Sequence, residues 1–185
     1  GDDYKRNFWL NKLVQSYKKG GSENTDRTQY LAAFASNELA RPLFNTFNRM
    51  KLKQPLKRSL KKKKAAMKVA SKAYGRVASI GILEFTTAAN FQIGEIYRLF
   101  AQSILESERP RGLDDETLEE YELLLEDQAL PIEDKAIEIF KANADRTKDG
   151  IWDKWVQKSY KSLSKLQPGR FAKYELREES VDAIY

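Results

Sequence analysis

The chain contains no cysteine and no histidine. Without cysteine there can be no disulfide, no thiolate zinc site and no cysteine nucleophile, and the chain suits reducing and oxidising compartments alike. Without histidine the commonest general base and the commonest transition-metal ligand are both missing, which excludes most hydrolase triads and zinc chemistry. Long apolar runs are lacking as well. No stretch approaches the roughly 18 residues that span a bilayer as a helix. No glycine loop suited to cradling phosphate and no nucleophile elbow occurs, and runs alternating at the strand period are absent. The start, Gly1-Asp2-Asp3-Tyr4, has no initiator Met and matches neither a signal nor a transit peptide, so it reads as a cut inside a longer chain.

What is present is charge and helical periodicity. Of the 185 residues, 41% are hydrophobic and 32% charged, a balance that suits a folded domain with a strongly charged surface rather than a disordered chain. The net charge of +6 conceals an uneven distribution. Residues 1–80 carry 19 Lys and Arg against 5 Asp and Glu, residues 81–150 carry 7 against 17, and residues 151–185 carry 7 against 5. A basic half followed by an acidic stretch supplies fields that steer charged partners or neutralise one another within the fold.

Apolar residues at three- and four-residue spacing predict about seven helices. The first, about 3–18, offers Phe8, Leu10, Leu13, Val14 and Tyr17 for burial and stops at Gly20-Gly21-Ser22. The second starts at Thr25 or Asp26, either of which can cap it, and its stripe runs through Tyr30, Leu31, Phe34, Leu39, Leu43, Phe44, Phe47 and Met50. Pro42 should kink it. The third, about 56–80, is Lys-rich first and apolar later. The fourth, about 83–107, carries Phe85, Phe91, Ile93, Ile96, Tyr97, Leu99, Phe100, Ile104 and Leu105 on more than one face, which predicts a central position.

A loop at 107–112 precedes a fifth helix, capped by Asp114 or Asp115 and running to about 128, with Leu118, Tyr121, Leu124 and Leu125 inward. Pro131 suits the first turn of a sixth, about 131–148, with Ile132, Ala136, Ile139 and Phe140 inward. A seventh, 151–166, turns Ile151, Trp152, Trp155, Val156, Tyr160 and Leu163 to the core, and Pro168-Gly169 ends it. The expected architecture is all-α: antiparallel helix pairs stacked as an α-solenoid or an irregular bundle, one domain over 1–169 with a flexible tail over 170–185.

Asn90-x-x-Ile93-Gly94-x-x-Tyr97 resembles the first-helix signature of a tetratricopeptide repeat, and Ala136-x-x-x-Phe140 resembles the second-helix signature. The Trp position of the signature is Asn90 here, and the 34-residue unit does not repeat cleanly. Longer phrases over about 26–174 resemble the C-terminal region of large exported tetratricopeptide proteins of Gram-negative bacteria, some of them associated with TonB-type energy transduction or gliding motility. These phrases include Gly94-Glu95-Ile96-Tyr97, Ser107-Glu108-Arg109-Pro110-Arg111-Gly112-Leu113 and Gly150-Ile151-Trp152-Asp153-Lys154-Trp155-Val156. The resemblance implies a periplasmic or outer-membrane-associated scaffold with cell-envelope partners. It assigns no individual binding residue.

Lys57, Arg58, Lys61, Lys62, Lys63 and Lys64 form the most conspicuous charged cluster, with Lys51 and Lys53 nearby. They read either as a site for a partner or for an anionic surface, or as a solvated face paired with the acidic 114–138 segment. No aromatic residue interleaves them as single-strand stacking needs, and an exported location removes nucleic acid as a natural partner. Both charged stretches are expected to face solvent. Asp114, Asp115, Glu116, Glu119, Glu120 and Glu122 suit the positive end of a helix dipole rather than a calcium loop or an acid–base pair. Trp152 and Trp155 are expected in the core, with an exposed aromatic anchor as the alternative, and Gly94 reads as a packing glycine. No catalytic, cofactor or metal residue is expected. The reading is a non-catalytic protein–protein interaction scaffold, with docking of the basic 51–64 region on anionic lipid or glycan as the alternative.

Overall fold

A computed structural model describes residues 2–172. Its seven α-helices are α1 (Asp2–Gly20), α2 (Asp26–Arg49), α3 (Leu56–Ala78), α4 (Leu83–Leu105), α5 (Asp115–Ala144), α6 (Lys154–Leu166) and α7 (Pro168–Phe171), with 3-10 turns at Gly21–Glu23 and Asp145–Asp149. No strand occurs among the described residues. The starts follow from side chains that satisfy free backbone N–H groups. Thr25 and Thr28 form a reciprocal box at α2. Asp114 Oδ1 accepts from Thr117 N at 2.9 Å at α5, and Asp153 Oδ1 accepts from Trp155 N and Val156 N at 2.8 and 2.9 Å at α6.

Consecutive helices pack as hairpins. Gln29 near the start of α2 donates to the Ile80 carbonyl just past α3 at 2.7 Å, as antiparallel neighbours require. Beyond its sequence neighbours, α2 also touches α4, and α4 touches α6. These three therefore form one layer, in which α3 bridges α2 to α4 and α5 bridges α4 to α6.

The main core gathers Phe47, Tyr74, Val77, Ile96, Phe100, Ile104 and Leu125. A second cluster joins Ala136, Phe140 and Ala144 of α5 to Leu163 of α6. Each such large side chain contributes about 1.5–3 kcal/mol when fully buried. The expected central position of α4 holds: Phe85, Ile96, Phe100 and Ile104 are all buried. Gly94 is a packing glycine, because a Cβ there would lie 2.5–2.9 Å from the Phe140 ring.

Several expectations are corrected. The fifth and sixth helices are one, since α5 runs unbroken through Pro131. An interior proline costs about 3 kcal/mol, yet here Leu130 and Pro131 are exposed, and water can reach the carbonyl that proline leaves without its donor. Leu125 and Ala129 before it and Ala136 and Phe140 after it are buried, so packing on both sides carries the helix across. The count of seven is reached through the short α7 instead. Pro42 lies inside α2, as its place within the apolar stripe requires.

In α1 only Leu10 is buried; Phe8 and Leu13 are exposed. In α2 the buried residues are Ala32, Ala33, Ala35, Ala40 and Phe47, whereas Tyr30 and Phe34 stand partly in solvent. Three helices press on α2, and close approach selects alanine over ring. Leu124 is exposed rather than inward. Trp152 is 59% exposed. It precedes α6, so helical spacing does not relate it to Trp155, and it packs on Tyr160 at 5.5 Å. Trp155 is half-buried, packed on Phe91 at 5.5 Å but outside both core clusters. Of the expected tail, Phe171 meets Tyr160 at 6.5 Å, and residues 173–185 lie outside the described residues.

Candidate binding faces

The basic cluster divides by helical phase. Lys57, Lys61 and Lys64 share one side of α3 with Lys68 and Lys72, all five exposed, and Arg58 and Lys62 flank them, also exposed. At 1.5 Å per residue this row extends about 22 Å. None of these side chains forms an ion pair among the described residues. The acidic cluster at the start of α5 is exposed too, and its one long-range pair is Glu122 with Arg109 at 3.1 Å. The two charged stretches thus face solvent and do not form a common seam.

Lys63 does not belong to that surface, which corrects its place among the candidates. It lies four residues before Met67 and eleven before Tyr74, on the inner side of α3, and is only 3% exposed. Its Nζ donates to the Met50 carbonyl at 2.6 Å and sits 5.0 Å from the centre of the Phe47 ring. Burial pushes its pKa below the ordinary lysine range, and the Glu106 carboxylate opposes that shift in part. The ammonium ties the end of α2 to α3, a structural role.

Lys63 also lines a cleft of about 660 Å³, with Asn48, Leu99, Gln102, Ser103 and Glu106 among its walls. One rim is a seam of two loops: Glu108 N donates to the Leu52 carbonyl at 3.2 Å, and Gln54 Nε2 donates to the Glu108 carbonyl at 2.8 Å.

This cleft opens onto α4, as do two smaller ones. One of about 300 Å³ lies between Glu38 and Arg41 of α2, Gln92 of α4 and Trp155 of α6. Another of about 270 Å³ lies between Glu95 and Arg98 of α4 and Lys158, Lys161 and Lys165 of α6. A connected polar row runs along α4 past the first and last of these, and Gln92 stands one turn before it at the other. Arg98 Nε and Nη2 donate to the two Glu95 oxygens at 3.0 and 2.8 Å, Arg98 Nη1 to Gln102 Oε1 at 3.0 Å, and Gln102 Nε2 to Glu106 Oε1 at 2.7 Å. The Glu95 carboxylate raises the Arg98 pKa through that bond. At the rim of the 300 Å³ cleft, burial pushes the Tyr74 phenol up to about 12.

The layer is fixed from behind by a polar knot. Asn143 Nδ2 of α5 donates to the Thr87 carbonyl of α4 at 3.1 Å and to Ser159 Oγ of α6 at 3.0 Å, and Thr87 Oγ1 donates to Asp153 Oδ2 at 2.5 Å. Both Nδ2 protons of Asn143 are thus used, and these bonds tie α5 to α4 and α6.

The α4 row was missed by sequence reasoning, which counted the apolar residues of the fourth helix and passed over Gln92, Glu95, Arg98, Gln102 and Glu106 at three- and four-residue steps. That periodicity was the available signal. Among the described residues no group of His, Cys, Asp or Glu is placed to hold a metal ion, and no helix is long and apolar enough to cross a membrane. No protein-family model, curated protein or solved structure matches the chain.

Proposed function

We propose that the chain is a non-catalytic, tetratricopeptide-like scaffold that receives a segment of a partner protein on the face formed by α2, α4 and α6. The observation that carries this reading is the α4 row. The most deeply packed helix of the fold keeps one polar, hydrogen-bonded side, half-buried at Gln92, Glu95 and Arg98 and exposed at Gln102 and Glu106, and three clefts along it are walled by an adjacent helix or loop. Pre-aligned donors and acceptors between shallow clefts suit an extended peptide, whose backbone and side chains both need partners. On the resemblance of the sequence, the setting is a cell-envelope assembly in the periplasm or at the outer membrane.

Photo-crosslinkers placed at Gln92 and Gln102, with Lys62 as the control on α3, test the face directly in cells. Crosslinks to one protein from the α4 positions and none from Lys62 support the reading. The reverse pattern contradicts it.

A second reading rests on a different observation, the lysine row of α3, which forms no ion pair among the described residues: a surface that docks on anionic lipid or glycan. Cosedimentation with anionic vesicles or lipopolysaccharide, lost when Lys57, Lys61 and Lys64 are changed to Glu, supports it. Binding that survives the triple change removes it.

A further inference from the structure

Among the exposed apolar residues that neither reading uses are two clusters, one with lysines beside its rings and one bordered by carboxylates. On α1, Trp9 is 63% exposed, and Tyr4 and Phe8 share its outer side. Phe8 and Trp9 meet edge to face at 5.4 Å, and Lys12 Nζ lies 5.3 and 5.9 Å from their centres. The patch is therefore an aromatic pair crowned by a cation, with Lys5 beside it and Asp2 and Asp3 at the helix start.

On α5, Leu123, Leu124 and Leu130 are each more than half exposed. Leu123 and Leu130 are seven residues apart and fall on one side of the helix, with Leu124 next to them. The surrounding exposed residues on that side are Glu116, Glu120, Asp127 and Asp134. This is a leucine ridge set in carboxylates.

Single exposed apolar residues are ordinary, but clustered ones with a charged border mark contact sites. Here each patch supplies what the other lacks. Rings meet leucines, and the Lys5 and Lys12 ammonium groups meet four carboxylates. Neither patch suits a copy of itself, because like charges would face one another.

We propose that α1 of one copy docks on the α5 ridge of a second copy, an interface in which unlike surfaces meet. Such contacts close into a two-fold pair when each copy gives and receives, or extend from copy to copy when the geometry does not close. The aromatic pair acts as the buried centre and the charges as the rim that sets register. The contact leaves the α2/α4/α6 residues described above out of the interface, so it stands independently of the proposed function.

Sedimentation velocity over about 1 µM to 1 mM, the range of weak to moderate association, tests it with Trp9→Glu and Leu124→Lys. Both side chains are exposed, so both variants should melt with the parent. The parent should gain mass with concentration and lose that gain at high salt. Each variant alone should stay monomeric. An equimolar mixture should associate again, because the intact α1 of one variant meets the intact ridge of the other. Lys12→Glu and Glu120→Lys repeat the scheme without touching an apolar group. A parent that stays monomeric throughout overturns the proposal, and so does a mixture that fails to restore association. Binding of the monomeric parent to anionic vesicles, lost in Trp9→Glu, would assign the α1 patch to a lipid surface and overturn it equally.

Discussion

Helices α1 and α4 are of similar length and both carry aromatic residues, yet α1 buries one residue and α4 buries nine. The difference lies in neighbours. α4 meets α2, α3, α5 and α6, whereas α1 meets α2 and the adjoining turn. A helix held on one side needs only a narrow apolar stripe, and for α1 that stripe is Leu10 with the half-buried Val14 and Tyr17. Tyr4, Phe8 and Trp9 therefore lie outside what folding requires. α4 teaches the converse: surrounded as it is, the polar row from half-buried Gln92 to exposed Glu106 marks its least covered side. Residues unexplained by packing point to contact surfaces in both helices, apolar ones on α1 and polar ones on α4.

The contrast can be broken most directly at the α4–α5 contact. Phe140→Ala should destabilise the fold by about 3–5 kcal/mol in chemical denaturation, since the ring is fully buried against Gly94. A loss below about 1 kcal/mol would show that α4 is not the packed centre. The reciprocal change, Gly94→Ala, sets an overpacking cost of about 1–3 kcal/mol against a helix-propensity gain of about 1 kcal/mol. A net loss near 1 kcal/mol is expected from the melting curve, and a net gain would mean that the Phe140 ring slips aside freely.

Alkaline titration sharpens the account of the α3 side. The folded-state pKa of Lys63 lies below its unfolded value of 10.5, so the unfolded chain binds more protons across that window and stability should rise with pH through it. Tyr74 acts oppositely. Its phenol keeps its proton up to about 12 in the fold but loses it from 10.0 when unfolded, so stability should fall as pH climbs between those values. Lys63→Met should remove the rising limb and spare the falling one. An unchanged rising limb would place the effect elsewhere. The smallest expected effect belongs to α1: Trp9→Ala should change stability by no more than about 0.5 kcal/mol, and a loss of several times that would show the ring packed within its own fold.

Much of this architecture is legible in the sequence, because caps and periodicity are local. Thr25 and Asp114 mark starts, and the row Phe85, Ile96, Phe100, Ile104 announces a central helix, whereas the start at Asp153 lies two residues past the expected one at 151. The errors arise where tertiary contact overrides a local rule. Pro131 resembles a helix start, and only the burial of residues on both sides keeps α5 whole. The aromatic stripe of α2 suggests a core face, but three neighbouring helices admit alanines there. Lys63 shares the charge of its neighbours, but its spacing to Met67 and Tyr74 places it on the inner side. The α4 row escaped notice because polar residues in an apolar helix carry no weight until the open side is known. Nor does any local pattern reveal that the α1 rings and the α5 leucines are left uncovered, since that depends on which helices stand beside them.

Peptide-resolved hydrogen exchange at low protein concentration tests the central contrast in one measurement. If α4 is the surrounded core and α1 an edge held on one side, amides of Phe85–Ile104 should exchange only with global unfolding, and those of Asp2–Gly20 should exchange far faster through local opening. Equal protection in the two helices would contradict the account, because α1 would then have cover that the fold described here does not supply.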